Sequence, residues 1–198
     1  MPLIHVEFFS QVLAQHSAMD VLLPTEQPGQ CFPGAHLWPT LYLLHGLSDS
    51  QTAWQRWSSL ERYLWDIPVA VVMPTTLRGF YTDMKYGPRY FTFISEELPA
   101  LCEKLFHLSP KREDRFAAGL SMGGYGAFKL GLRCPERYAA VASLSGALDV
   151  AMHSNAAFDY PSLLPEYALI FGEEGQVLNS ADDLFALAAC VGNQSADM

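Results

Sequence analysis

"GLSMGGYGAFKLG", residues 119–131, sets five glycines around one serine and then continues as a helix-like run. Glycine weakens the interior of a strand or helix, so this density marks a backbone that turns sharply or packs very closely. Ser121 ends an apolar run of strand length, "RFAAGLS" (115–121), and opens the helical pattern "GGYGAFKLGLRCPERY", which Pro135 stops. Gly119 lies two residues before it and Gly123 two after, the G-x-S-x-G pattern in a strand–turn–helix context. Such a turn strains the serine and exposes its hydroxyl. Side chains at the flanking positions would collide with neighbouring elements, and the helix start aims free N–H groups at the reacting atoms. With glycine at about 7% of residues, the bare pattern arises by chance in about one chain of this size in fourteen, so the weight rests on the context. Neither the G-K-[ST] ending of a phosphate loop nor G-x-G-x-x-G fits the stretch. Ser121 reads as a nucleophile.

The elements around it alternate. "IHVEFFSQVL" (4–13) and "AMDVLLP" (18–24) read as paired strands, and residues 25–37, rich in Pro and Gly, as a loop. "PTLYLLHG" (39–46), "VAVVMP" (69–74), "RFAAGLS" and "AAVASLSG" (139–146) are continuous apolar runs, expected of strands buried on both faces. Between the first two, Ala53, Trp57, Leu60 and Leu64 form a helical stripe. "FTFISEELPALCEKLFHL" reads as another helix, started or kinked at Pro99. Strand and helix in alternation predict an α/β protein with a mostly parallel sheet flanked by helices, the N-terminal pair adding antiparallel edge strands. Residues 1–198 are expected to form a single domain.

Half of the 198 residues are hydrophobic, 13% aromatic and 17% charged, which excludes a disordered or fibrous chain. A net charge of −9 makes nucleic acid and anionic membrane surfaces poor partners. Apolar runs are far shorter than a membrane span, and the N-terminus lacks the pattern of a signal peptide. A soluble cytoplasmic protein is the expectation. Cys31, Cys102, Cys134 and Cys190 are widely spaced without a C-x-x-C pair, arguing for reduced thiols over a zinc site or disulfide framework. The sequon at Asn193 matters only in a secretory pathway.

"LLHGLSDS" (43–50) follows the first buried strand. Oxyanion donors commonly come from the N–H after the nucleophile and from a loop after an earlier strand, here Met122 and Leu47. His45 precedes the serine, whereas the triad histidine of this architecture follows it; bracing the loop by hydrogen bonds is its expected role. The aromatic loop with Phe80, Tyr81, Tyr86 and Tyr90 follows a strand's C-terminal end, where open α/β sheets bind ligands. Trp54 and Tyr81 are candidates to line an acyl or alcohol pocket, with packing of loop and helix as the alternative.

"HVEFFSQVL", "LYLLHGLSDSQTAW", "FYTDMKYG" and "GLSMGGYGAFKLGLRCPERYAAVASLSGALD" together resemble the esterase D-like family of α/β-hydrolases, and within it the bacterial tributyrin esterases, related to S-formylglutathione hydrolases. The resemblance runs along nearly the whole chain and is most specific around Ser121. It implies the α/β-hydrolase fold, a serine nucleophile matching Ser121 and backbone oxyanion donors matching Leu47 and Met122. It further implies action on short-chain acyl esters or thioesters through an acyl-serine, without a cofactor or metal, and is compatible with a homo-oligomer.

One part of the pattern is not met. The chain order in α/β-hydrolases is Ser, then Asp or Glu, then His. After Ser121 the sequence holds a single histidine, His153, placed where neither the acid nor the histidine of the family belongs. The candidate acids are Asp149, Glu173, Glu174, Asp182 and Asp183, of which Asp182 and Asp183 read as helix-start residues. In the family's pattern, "YALIFGEEG" precedes a helix, and two further strands carrying the Asp and the His come after "SADDLFALAAC". The domain thus reads as truncated at its C-terminus. The readings kept open are a serine carboxylesterase, an S-formylglutathione hydrolase-type thioesterase, and a catalytically inert acyl-binding or interaction form.

Overall fold

The N-terminal hairpin places two strands against the sheet from one side. β1 (Leu3–Ser10) pairs antiparallel with β2 (Gln15–Leu22), and β2 pairs antiparallel with β4 (Ala70–Pro74). Both strands end or begin earlier than the apolar pattern suggests, because the chain turns through Ala14, which adopts a left-handed φ of 53°. From β4 inward every pairing is parallel: β4 with β3 (Thr40–Leu44), β3 with β5 (Arg115–Leu120), and β5 with β6 (Ala140–Leu144). The order across the six-stranded sheet is β1-β2-β4-β3-β5-β6. This is an α/β-hydrolase sheet. The computed structural model describes residues 1–25, 37–153, 164–173 and 176–196. Cys31, Glu174 and the side chains of His153 and Asn193 lie outside the described residues.

Alternate residues of β3 and β4 face opposite sides of the sheet, and both sides are covered. Tyr42, Leu44 and Val72 enter a large core with Phe93, Leu98, Tyr125 and Leu130. Leu43, Val71 and Met73 pack with Leu22 and Leu64, and Trp54 rests against them. Each such side chain contributes about 1.5–3 kcal/mol by leaving water, which is why these strands are apolar throughout.

The stripe from Ala53 to Leu64 does not form one helix. It breaks into α1 (Ala53–Trp57) and α2 (Leu60–Tyr63), with Ser58 extended between them. The Ser58 hydroxyl donates to the Trp54 carbonyl, a local bond that competes with helix continuation. Trp57 is thereby turned outward and is 75% exposed.

The next helical stretch does run on, as α3 (Tyr90–Thr92), a π-helical turn (Phe93–Glu97) and α4 (Leu98–Leu105). Pro99 explains the wide turn. Its ring displaces the carbonyl four residues back, and the Leu98 N–H bonds instead to Phe93, five back. The Ser121 segment continues into α5 (Met122–Arg133), ending at Cys134 ahead of Pro135. Two short helices follow, α6 (Val150–His153) and α7 (Leu164–Phe171), then α8 (Leu184–Ala196).

β6 differs from the expectation of a buried strand. Among the described residues it is paired on one side only, and Ala140, Ala142 and Leu144 are exposed. Its apolar residues report a face that can be covered, whereas the exposure depends on what lies beside it.

Candidate active site

Ser121 sits at φ 54°, ψ −113°, a conformation that costs a non-glycine residue about 1–3 kcal/mol. Three backbone hydrogen bonds hold it there. Its N–H donates to Leu144 at 2.9 Å, and its carbonyl accepts from Tyr125 and Ala147, each at 3.1 Å. The flanking glycines are steric requirements. A Cβ on Gly119 would lie 2.3 Å from the Gly123 carbonyl carbon and oxygen, and one on Gly123 would lie 2.7 Å from the His45 carbonyl oxygen. The Ser121 turn is therefore wedged between its own helix and the end of β3.

The β3 loop is fixed from a second direction. His45 is buried, with Nδ1–H donating to the Gly46 carbonyl at 2.7 Å and Nε2 accepting the Thr76 N–H at 3.1 Å. This pairing selects the neutral imidazole, and burial lowers its pKa below the ordinary histidine value. The Tyr81 hydroxyl donates to the His45 carbonyl at 2.9 Å. His45 thus braces the loop, as the sequence suggests. Two residues on, Leu47 reaches the same cleft as Ser121.

That cleft has a volume of about 310 Å³, lined by His45, Leu47, Trp54, Trp57, Leu120 and Ser121 among others. Trp54 is held by its indole N–H, which donates to the Leu44 carbonyl at 3.2 Å. At the rim, Asp49 pairs with Arg56. Its lining is mainly apolar and includes Ser121, an arrangement that can take a small ligand beside the serine.

Of the residues singled out from sequence, Ser121, Leu47 and Trp54 meet at the cleft, and Met122 follows Ser121 as the first residue of α5. Tyr81 does not line the cleft. Phe80 and Tyr81 are consecutive left-handed residues, with φ of 48° and 50°, and this turn carries both rings inward. Trp57 and Leu120 do line it and were not anticipated: Trp57 falls on the apparent inner stripe of a helix, and Leu120 ends an apolar strand.

The candidate acids serve elsewhere. Asp149 Oδ1 accepts the Met152 N–H at the start of α6. Asp183 caps α8, its Oδ1 accepting from Phe185 and Ala186, as its place at a helix start suggests. Asp182 Oδ1 lies 2.5 Å from Nζ of Lys129, a fully buried lysine that also donates to Thr82 Oγ1 at 2.8 Å. Burial pushes the Lys129 pKa down to about 8 despite this partner. Glu173 is exposed. Among the described residues no group of three or more His, Cys, Asp or Glu could hold a metal ion, and no helix is long and apolar enough to cross a membrane.

A model of the family described as "Putative esterase" matches residues 10–188. An acetyl esterase of Caldicellulosiruptor saccharolyticus is 29% identical over 194 residues, covering 94% of this chain and 73% of that protein. Among solved structures, the fluorophosphonate-binding serine hydrolase F of Staphylococcus aureus superposes with a TM-score of 0.84 at 30% identity, over 98% of this chain and 74% of that one. An S-formylglutathione hydrolase of the same organism gives 0.80 at 30% identity, over 98% and 75%.

Proposed function

The chain belongs to the esterase family of α/β serine hydrolases, and on that premise we propose that it is a serine carboxylesterase acting on short-chain acyl esters. In this reading the Ser121 hydroxyl attacks the ester carbonyl, the N–H groups of Leu47 and Met122 hold the oxyanion, and the alcohol leaves an acyl-serine that water hydrolyses. The observation that carries it is the strained Ser121 turn opening into the same apolar cleft as Leu47. The hydroxyl proton must pass to a base, which the family pattern supplies as a histidine oriented by an acid. Neither is assigned to a residue of this chain, which spans about three-quarters of the length of the acetyl esterase and the serine hydrolase that it matches. The reading carries with it a single domain, a cytoplasmic location and a small acyl substrate that needs no cofactor.

Two further readings have support. Similarity to an S-formylglutathione hydrolase favours a thioesterase on the same serine. The structural roles of Asp149, Asp182 and Asp183 favour an inert acyl-binding form. One experiment separates them: intact mass of the natively expressed protein with and without a fluorophosphonate, beside hydrolysis of a butyrate ester and of S-formylglutathione. A single adduct, lost in Ser121→Ala, with ester turnover supports the carboxylesterase. Preference for the thioester supports the second reading, and no adduct supports the third.

A further inference from the structure

We infer that Tyr81 is a positioning residue that sets the gap between the peptide N–H groups of Leu47 and Met122. The inference rests on the reading of those two groups as the oxyanion donors. Tyr81 is completely buried, yet it touches both elements that carry them. Its hydroxyl donates to the His45 carbonyl, two residues before Leu47. Its ring occupies the space a side chain at Gly126 would need on α5, the helix that begins at Met122: a Cβ there would lie 2.5 Å from the ring. The Tyr81 and His45 rings are 5.8 Å apart between centroids, and the same imidazole accepts the Thr76 N–H. The segment after β4 therefore grips the β3 loop at two points and presses on α5 at a third.

Backbone strain argues that this placement does more than fill space. Phe80 and Tyr81 occupy consecutive left-handed positions without glycine, each unfavourable for a bulky side chain. The turn sends the Phe80 ring towards Tyr125, Tyr167 and Phe171, while Tyr81 turns to His45 and Gly126. An oxyanion is stabilised only when its donors stand about 2.7–3.1 Å from the position that the charge will occupy. Misplacement by about 1 Å can cost on the order of a hundredfold. A phenylalanine would keep the packing and lose the tether on the His45 carbonyl.

The test is the kinetics of Ser121 phosphonylation by an alkyl fluorophosphonate, whose P=O oxygen takes the place of the ester oxyanion. The wild-type chain, Tyr81→Phe, Gly126→Ala and Leu47→Pro are followed by intact mass, with thermal melts alongside. Tyr81→Phe is expected to lower the maximal inactivation rate about tenfold or more, with half-saturating probe concentration within about twofold and an almost unchanged melt. Gly126→Ala, which displaces the ring without deleting it, should show the same split if Tyr81→Phe does not fold. A wild-type rate in the folded Tyr81 variant overturns the inference, as does a loss that appears only in probe affinity or melting. Slow labelling in Leu47→Pro with wild-type labelling in Tyr81→Phe overturns the inference alone. Wild-type labelling in Leu47→Pro overturns the donor reading and the inference with it, and no labelling of the wild type overturns the nucleophile reading and the inference together.

Discussion

A Cβ on Gly123 would stand 2.4 Å from the carbonyl oxygen of Leu44, a distance that no side chain can occupy. The obstacle is backbone on both sides, so neither partner can rotate away. Gly123→Ala is expected to cost at least the about 1–3 kcal/mol of an overpacked core, a fall of about 2–12 °C in melting temperature for a chain of this length. It should also abolish fluorophosphonate labelling, because the turn and the β3 loop part together. Differential scanning calorimetry and intact mass read the two effects.

Substitution at Ser121 should invert the usual order of alanine and glycine. Both Ser121→Ala and Ser121→Gly remove the hydroxyl and any labelling, but alanine keeps the strain of φ 54°, ψ −113° whereas glycine relieves it. Glycine is expected to be the more stable by about 1 kcal/mol, or about 2–4 °C. Equal melts would show that the turn is not strained.

His45 should make stability fall on acidification. Its folded pKa is depressed by burial, so below the ordinary value of about 6.5 the unfolded chain binds the proton more tightly. The contribution of neutral His45 is complete above that pH and is lost as pH falls beneath it. His5 acts in the opposite sense, its pKa raised mainly by its hydrogen bond to Asp20. The difference between wild type and His45→Gln in melting temperature from pH 7 to pH 5 isolates the effect. Parallel curves would refute it.

Lys129 predicts a slope at alkaline pH. Its folded pKa of about 8 lies below its unfolded value of about 10.5, so between the two the unfolded chain holds the extra proton and stability rises with pH. Lys129→Met should lose that rise. Chemical denaturation of both proteins at pH 7.5, 9 and 10 measures it.

Trp57, three-quarters exposed and on the cleft wall, should govern probe affinity without governing reactivity. Trp57→Ala is expected to raise the half-saturating concentration of a long-chain fluorophosphonate several-fold and leave the maximal rate and the melt unchanged. That is the reverse of the split expected for Tyr81→Phe.

The centre of the sheet was legible because parallel strands covered on both faces must be apolar at every position, as "LYLL" and "AVVM" are. The Ser121 turn was legible because only glycine fits at 119 and 123. What escaped depends on competition or on surroundings. The break at Ser58 rests on one side-chain bond that wins over a helical stripe. The exposure of β6 depends on its neighbours, and the inward turn of Tyr81 on two φ angles that aromatic residues seldom adopt. Among the candidate acids, the cap formed by Asp183 was legible at its helix start, whereas the ion pair of Asp182 with the buried Lys129 depends on a contact between distant segments.

The pairing of Leu44 with Gly119 also has a consequence in time. The two residues are far apart in the chain, so closing that loop is an entropically slow event, completed only when distant segments meet. The strained turn has no support before it: α5 has no β3 carbonyls to lie against, and the β3 loop has no helix to cover. Any opening that separates β3 from β5 must relax the serine within the same motion. Opening the middle of the sheet is therefore expected to slow labelling at Ser121, because the serine turn relaxes as β3 and β5 part.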